Sequence, residues 1–201
     1  MDDSDLADPS NRFRERKVAL VLIDLQNKFA KSSEEMERAL AKRMGLINEV
    51  SAEFRKSGNP VIAVFYDGEA YCSAGIENPD DPVEGLVLSE SDIVVHKTHA
   101  NSFRDSGLEE AVKGAGCSGV VLAGLISHCC VLSTYFAAYD HDLVPYILRG
   151  GTAAAEEDKI SGVESLVKTV DLDDIRSNVN FRASQGRSRQ FVCRGNRGRL
   201  L

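Results

Sequence analysis

The sequence predicts an α/β domain: three layers, α/β/α, around a mostly parallel sheet of roughly six strands. Two observations carry this. Apolar runs at 18–23, 61–66 and 119–123 show no polar alternation, as expected of strands covered on both faces. Segments of helical spacing separate these runs, and right-handed crossovers then place helices on both sides of a parallel sheet. A length of 201 residues fits one domain, and 43% hydrophobic residues are enough for a proper core.

Residues 1–16, acidic and then basic, are expected to form a flexible arm ahead of a domain spanning 17–176. The first strand is 17–24 and stops on an acid; 25–33 reads as a loop. A helix covers 34–57, because Met36, Leu40, Met44, Ile47, Val50 and Phe54 form one stripe, and Gly58, Asn59 and Pro60 stop it. The second strand is 61–66. The polar connection 67–91, rich in Gly and Pro, has a length usually kept for function. The third strand, 92–96, ends at Lys97; a loop over 98–106 and a short helix over 107–116 follow. The fourth strand, 119–123, is broken by Gly124. Val131, Leu132, Tyr135, Phe136 and Tyr139 then mark a helix that opens at Cys129. The fifth strand is 143–148, where Pro145 points to irregularity or an edge position. A last helix covers 152–168, and 170–175 forms a short sixth strand. Residues 177–201 hold six arginines and no Asp or Glu, a composition expected to stay disordered.

Composition excludes several classes. A formal net charge of −7 argues against nucleic acid and anionic membrane as partners. No apolar run approaches ~18 residues, so no transmembrane helix is expected. The N-terminus lacks the apolar stretch of a secretory signal. Five irregularly spaced cysteines read as free thiols in a reducing compartment, which makes a cytoplasmic location the expectation.

Three residues stand out by position. Asp24 ends the first strand, Lys97 the third, and Cys130 follows the fourth. Parallel strands open their carboxyl ends on one edge, so these residues can meet in one crevice. At the start of a helix, Cys129 and Cys130 sit where unpaired backbone N–H groups favour a thiolate. A thiolate attacks a carbonyl carbon; a carboxylate can take the thiol proton and hand it to a leaving amine. A lysine ammonium stabilises both anions and lowers the thiol pKa. Other readings compete. A cysteine often packs as a small hydrophobe. His128, Cys129 and Cys130 could suggest zinc, but helical neighbours point apart and no second ligand pair follows at finger-like spacing.

The stretches ALVLIDLQNKF around Asp24, VVHKTHANSF around Lys97 and AGLISHCCVLSTYFAA around Cys130 resemble the isochorismatase-like cysteine hydrolase superfamily. That superfamily includes nicotinamidases and N-carbamoylsarcosine amidases. Gly124, Ser127, Cys130, Val131, Thr134 and Ala138 fall in register with its G-x-x-[TS]-x-x-C-V-x-x-T-x-x-x-A signature, and the resemblance covers roughly 17–172. It implies the isochorismatase-like fold and a triad of Cys130 as nucleophile, Asp24 as base and acid, and Lys97 as the polarising cation. It also implies a cis peptide at Leu125–Ile126, an oxyanion hole from the backbone N–H groups of Ile126 and Cys130, and a dimer or tetramer. The implied reaction is hydrolysis of a C–N bond in a small amide, carbamoyl or ureido compound, without organic cofactor.

The chain also departs from the family pattern. Nicotinamidases carry a metal site from an Asp-x-His segment after the second strand; here that segment is Tyr66-Asp67-Gly68-Glu69, so no metal is expected. Isochorismatases proper usually lack the nucleophilic cysteine. Gly150 and Gly151 stand where many relatives have Asp-Ala. Gln26, Phe29, His99 and Phe103 are the candidate pocket residues. A non-catalytic binding or scaffold protein of the same fold is the alternative.

Overall fold

The computed structural model describes Phe13, residues 16–68 and residues 75–178. Its strands are β1 (Val18–Ile23), β2 (Val61–Tyr66), β3 (Ile93–Lys97), β4 (Gly119–Leu125), β5 (Val144–Ala153) and β6 (Thr169–Val170). They form one sheet in the order β3-β2-β1-β4-β5-β6, parallel throughout. The helices are α1 (Asn27–Ala30), α2 (Glu34–Lys56), α3 (Leu108–Gly114), α4 (Leu132–Asp140) and α5 (Glu157–Leu166). A π-helical turn, Ser127–Val131, runs into α4. No helix among the described residues is long and apolar enough to cross a membrane.

The unbroken apolar character of β1 follows from its two buried faces. Val18, Leu20 and Leu22 pack with Leu40, Ile47, Val50 and Phe54 of α2. Ala19, Val21 and Ile23 pack with the layer of α3, α4 and α5 through Val112, Tyr135 and Val163. Each such fully buried aliphatic side chain contributes about 1.5–3 kcal/mol. The long α2 starts cleanly because the Ser33 side chain accepts from the Met36 N–H and three glutamates occupy its first turn.

Several expectations need correction. Residues 25–33 are not all loop, since α1 lies inside them. β5 runs on to Ala153, so the last helix starts only at Glu157. Its register slips between Leu122 and Gly124, and the Glu164 carboxylate accepts the Gly150 N–H at 2.9 Å. A bulge thus carries the two glycines through the strand. β5 is also interior. Pro145 is tolerated because β6 pairs with β5 only from Ile147 onward, so the missing N–H faces no partner strand. β6 is two residues long, and 172–178 are helical. Asp171 and Asp174 start that turn by exchanging backbone N–H and carboxylate bonds.

Two described residues outside 17–176 also contact the domain. Phe13 is 1% exposed and meets Tyr146 edge-on, with ring centroids 4.9 Å apart. The buried Asn178 side chain donates to the Phe13 and Arg16 carbonyls. An aromatic ring and an amide therefore tie the arm and the start of the tail to the core. The remainder of 1–15 and all of 179–201 lie outside the described residues.

Candidate active site

The sheet order reverses between β1 and β4, and open α/β sheets place their sites at such a switch point. Asp24 leaves β1 there with φ +53°, beside Gly124 at the end of β4. The backbones crowd at this point. A Cβ on Gly124 would lie 2.2 Å from the Ile23 carbonyl oxygen, and Gly124 itself has φ +117°. Glycine is therefore required, as the motif position indicated. The Leu125–Ile126 peptide that follows is cis, and the π-helical turn carries Cys130 back over the strand ends. Within that turn His128 and Cys129 are exposed while Cys130 is buried, so the three do not share one face.

Lys97 reaches Asp24 from β3, across the end of β2. Its Nζ lies 2.8 Å from Asp24 Oδ2, with both side chains at most 1% exposed. The same ammonium donates to the Ala100 carbonyl at 3.3 Å. Burial raises the Asp24 pKa above the ordinary 3.8, opposed first by the attraction of Lys97 and then by the neighbouring Cys130 thiol. Burial likewise pushes the Cys130 thiol up, reinforced by the Asp24 charge and only partly offset by Lys97. Burial and the Asp24 charge thus act against the thiolate that the helix start and Lys97 favour. The arrangement is an acid–thiol pair held next to a fixed cation. Chemically it can pass one proton between Oδ and Sγ while the net charge of the site stays small.

Buried hydroxyls hold the surrounding segments. Thr152 donates to Ser127 at 3.1 Å and so ties the π-helical turn to the end of β5. Thr134 accepts from the Ser102 N–H at 3.0 Å and donates to its hydroxyl at 2.9 Å, fixing the segment after Lys97 onto α4. Ser127 and Thr134 of the signature thus position backbone.

The expected pocket residues divide. Gln26 is buried and fully engaged: its Oε1 accepts the Tyr66 N–H, and its Nε2 donates to the Tyr66 and Asp80 carbonyls. It braces the chain, and its side chain bonds backbone of Tyr66 and Asp80, not Asp24 itself. Phe29 is partly buried and edge-on to Tyr66. His99 is half-buried, with Nδ1 3.2 Å from Thr98 Oγ1. Phe103 is a core residue, 5% exposed and stacked on His141 at 4.7 Å. Ile126 is half-buried beside the cis peptide. Sequence reasoning missed Lys28, a lysine 1% exposed whose ammonium meets the Tyr66 and Gly68 carbonyls and Asp80 Oδ1. A lysine in a polar stretch gives no sign of burial.

The residues fit a metal poorly. Asp67 and His96 lie at neighbouring strand ends, but they engage each other, Oδ1 to Nδ1 at 2.7 Å. No group of three or more potential ligands converges among the described residues.

Comparison with known proteins agrees with this geometry. The isochorismatase domain model matches residues 18–164. The secreted isochorismatase effector Isc1 of Verticillium dahliae is 27% identical over 57% of this chain and 61% of its own length. The streptothricin hydrolase of Streptomyces noursei is 29% identical over 58% of this chain and 42% of its own, so the chain spans roughly half the length of these two relatives. Among solved structures, a cysteine hydrolase from Pseudomonas syringae pv. phaseolicola superposes with a TM-score of 0.68 at 14% identity, covering 82% of this chain and 93% of its own. The N-carbamoylsarcosine amidase of Thermoplasma acidophilum gives 0.65 at 22% identity, covering 77% and 95%. The fold and the match over most of the described domain lead to one conclusion: the chain belongs to the isochorismatase family.

Proposed function

We propose that this protein hydrolyses a C–N bond in a small amide, carbamoyl or ureido compound through a covalent intermediate on Cys130. The observation that carries the reading is the buried juxtaposition of Cys130, Asp24 and Lys97 at the switch point of the sheet. The name of one relative, a streptothricin hydrolase, supports a hydrolytic reading, and a fold neighbour is named an N-carbamoylsarcosine amidase. In this mechanism Asp24 takes the thiol proton as Sγ attacks the substrate carbonyl. The backbone N–H groups of Ile126 and Cys130 receive the developing oxyanion. Collapse expels the amine, which leaves with the proton from Asp24. Water, deprotonated by Asp24, then cleaves the thioester. Lys97 keeps the carboxylate in place and favours its ionised form when the proton is away. The reaction uses no metal or organic cofactor, and the working protein is a homo-oligomer in a reducing compartment. The test is a panel of small primary amides, N-carbamoyl compounds and ureides, read by amine or ammonia release beside Cys130→Ala. Turnover that disappears in the variant supports the proposal; turnover retained by a folded Cys130→Ala protein contradicts it.

A further inference from the structure

Lys97 and Asp24 belong to β3 and β1, and β2 lies between them. Two strand spacings put the outer backbones about 10 Å apart. Their ion pair at 2.8 Å therefore depends on where the end of β2 sits. The register runs through that strand. The Asp24 N–H bonds the Val64 carbonyl, Tyr66 pairs with Lys97, and the Asp67 N–H bonds the Lys97 carbonyl.

The end of β2 is gripped from the segment just after Asp24. Gln26 bonds both the N–H and the carbonyl of Tyr66, at 2.8 and 3.2 Å. Lys28 Nζ bonds the same carbonyl at 2.6 Å and the Gly68 carbonyl at 2.9 Å. Its third donor meets Asp80 Oδ1 at 2.6 Å. All three hydrogens of a buried ammonium are used: one goes to Tyr66, the last residue of the strand that separates Asp24 from Lys97, and one to Gly68 just beyond it. A buried lysine is a costly way to satisfy two carbonyls, since any packed polar side chain would desolvate less.

We infer that Lys28, together with Gln26, is a positioning residue that fixes the end of β2 so that Lys97 meets Asp24. The inference rests on the reading that Asp24 and Lys97 serve catalysis. The charged or titrating groups that act on Asp24 are Lys97, Cys130 and Lys28.

The experiment follows the Asp24 carboxyl directly, by its 13C signal across pH in the full chain, with Asp24→Asn used for assignment. Lys28→Met removes the ammonium at similar volume. Gln26→Met leaves every charge in place, so it acts only through geometry. We expect the Asp24 midpoint to rise by about one pH unit in both variants as Lys97 drifts away. A rise in Lys28→Met alone would mean a charge acting through space, and would overturn the positioning role. Unmoved midpoints in folded variants, or loss of folding in both, would overturn it too and leave the pair as staples of the fold. No substrate is needed, so a failure of the hydrolase reading in the amide panel and a failure of the positioning role here are told apart.

Discussion

At the scale of single residues, the account turns on who holds a proton. Burial and the Asp24 charge push the pKa of Cys130 up, against a preformed thiolate. Cys130→Ala should lower turnover by about 10,000-fold or more while the melting temperature holds. Asp24→Asn should cost about 1,000-fold, because the amide cannot accept the thiol proton; an unchanged initial rate would remove Asp24 from the mechanism. The pH dependence has a defined sign. The Asp24 pKa is raised on folding, chiefly by burial, so its protonated form stabilises the fold below 3.8 and that contribution is lost as pH rises through the folded value. Wild type minus Asp24→Asn stability, followed by thermal melts, should therefore fall as pH increases above about 4. The same midpoint should appear as the acid limb of kcat/KM, since the base must be ionised. Asp24, Lys97 and Cys130 were legible in the sequence because position at a strand end is a topological property. The burial of Lys28 was not, because it depends on the Tyr66 and Gly68 carbonyls that happen to face it.

At the scale of elements, the close approach of β1 and β4 is the critical joint. Gly124→Ala should destabilise the protein by about 3 kcal/mol, since its Cβ would collide with the Ile23 carbonyl at a φ that alanine avoids. Chemical denaturation would measure this, and a loss below a few tenths would show that the joint relaxes. Strands β1, β2 and β4 could be read from their uniform apolar character, which two covered faces impose. The extension of β5 could not. Gly150 and Gly151 carry turn chemistry, and the bond from Gly150 to Glu164 and the offset pairing with β4 help keep them in the strand. The segment after β6 misled for a related reason. Leu172 and Ile175 suit either element, and the capping exchange of Asp171 with Asp174 decides for helix.

At the scale of the whole molecule, the domain is closed by pieces outside the family match. Phe13 and Asn178 lie beyond residues 18–164 yet pack on Tyr146 and on the chain's own start. Phe13→Ala should cost about 3 kcal/mol of stability, read by denaturant titration, with activity retained at low temperature. A silent substitution would show that this contact adds nothing to the fold. Composition missed it because one phenylalanine in a charged arm carries no periodic signal.

The central claim is that burial, reinforced by the Asp24 charge, holds the thiol of Cys130 neutral until substrate arrives, and that Asp24 then takes its proton. Alkylation of Cys130 across pH, located by mass spectrometry in wild type and Asp24→Asn, tests it most directly. The account predicts a wild-type midpoint above the ordinary thiol value of 9.0, moving down when the carboxylate is neutralised even as turnover is lost. Selective alkylation of wild-type Cys130 near neutral pH, unchanged in Asp24→Asn, would contradict it.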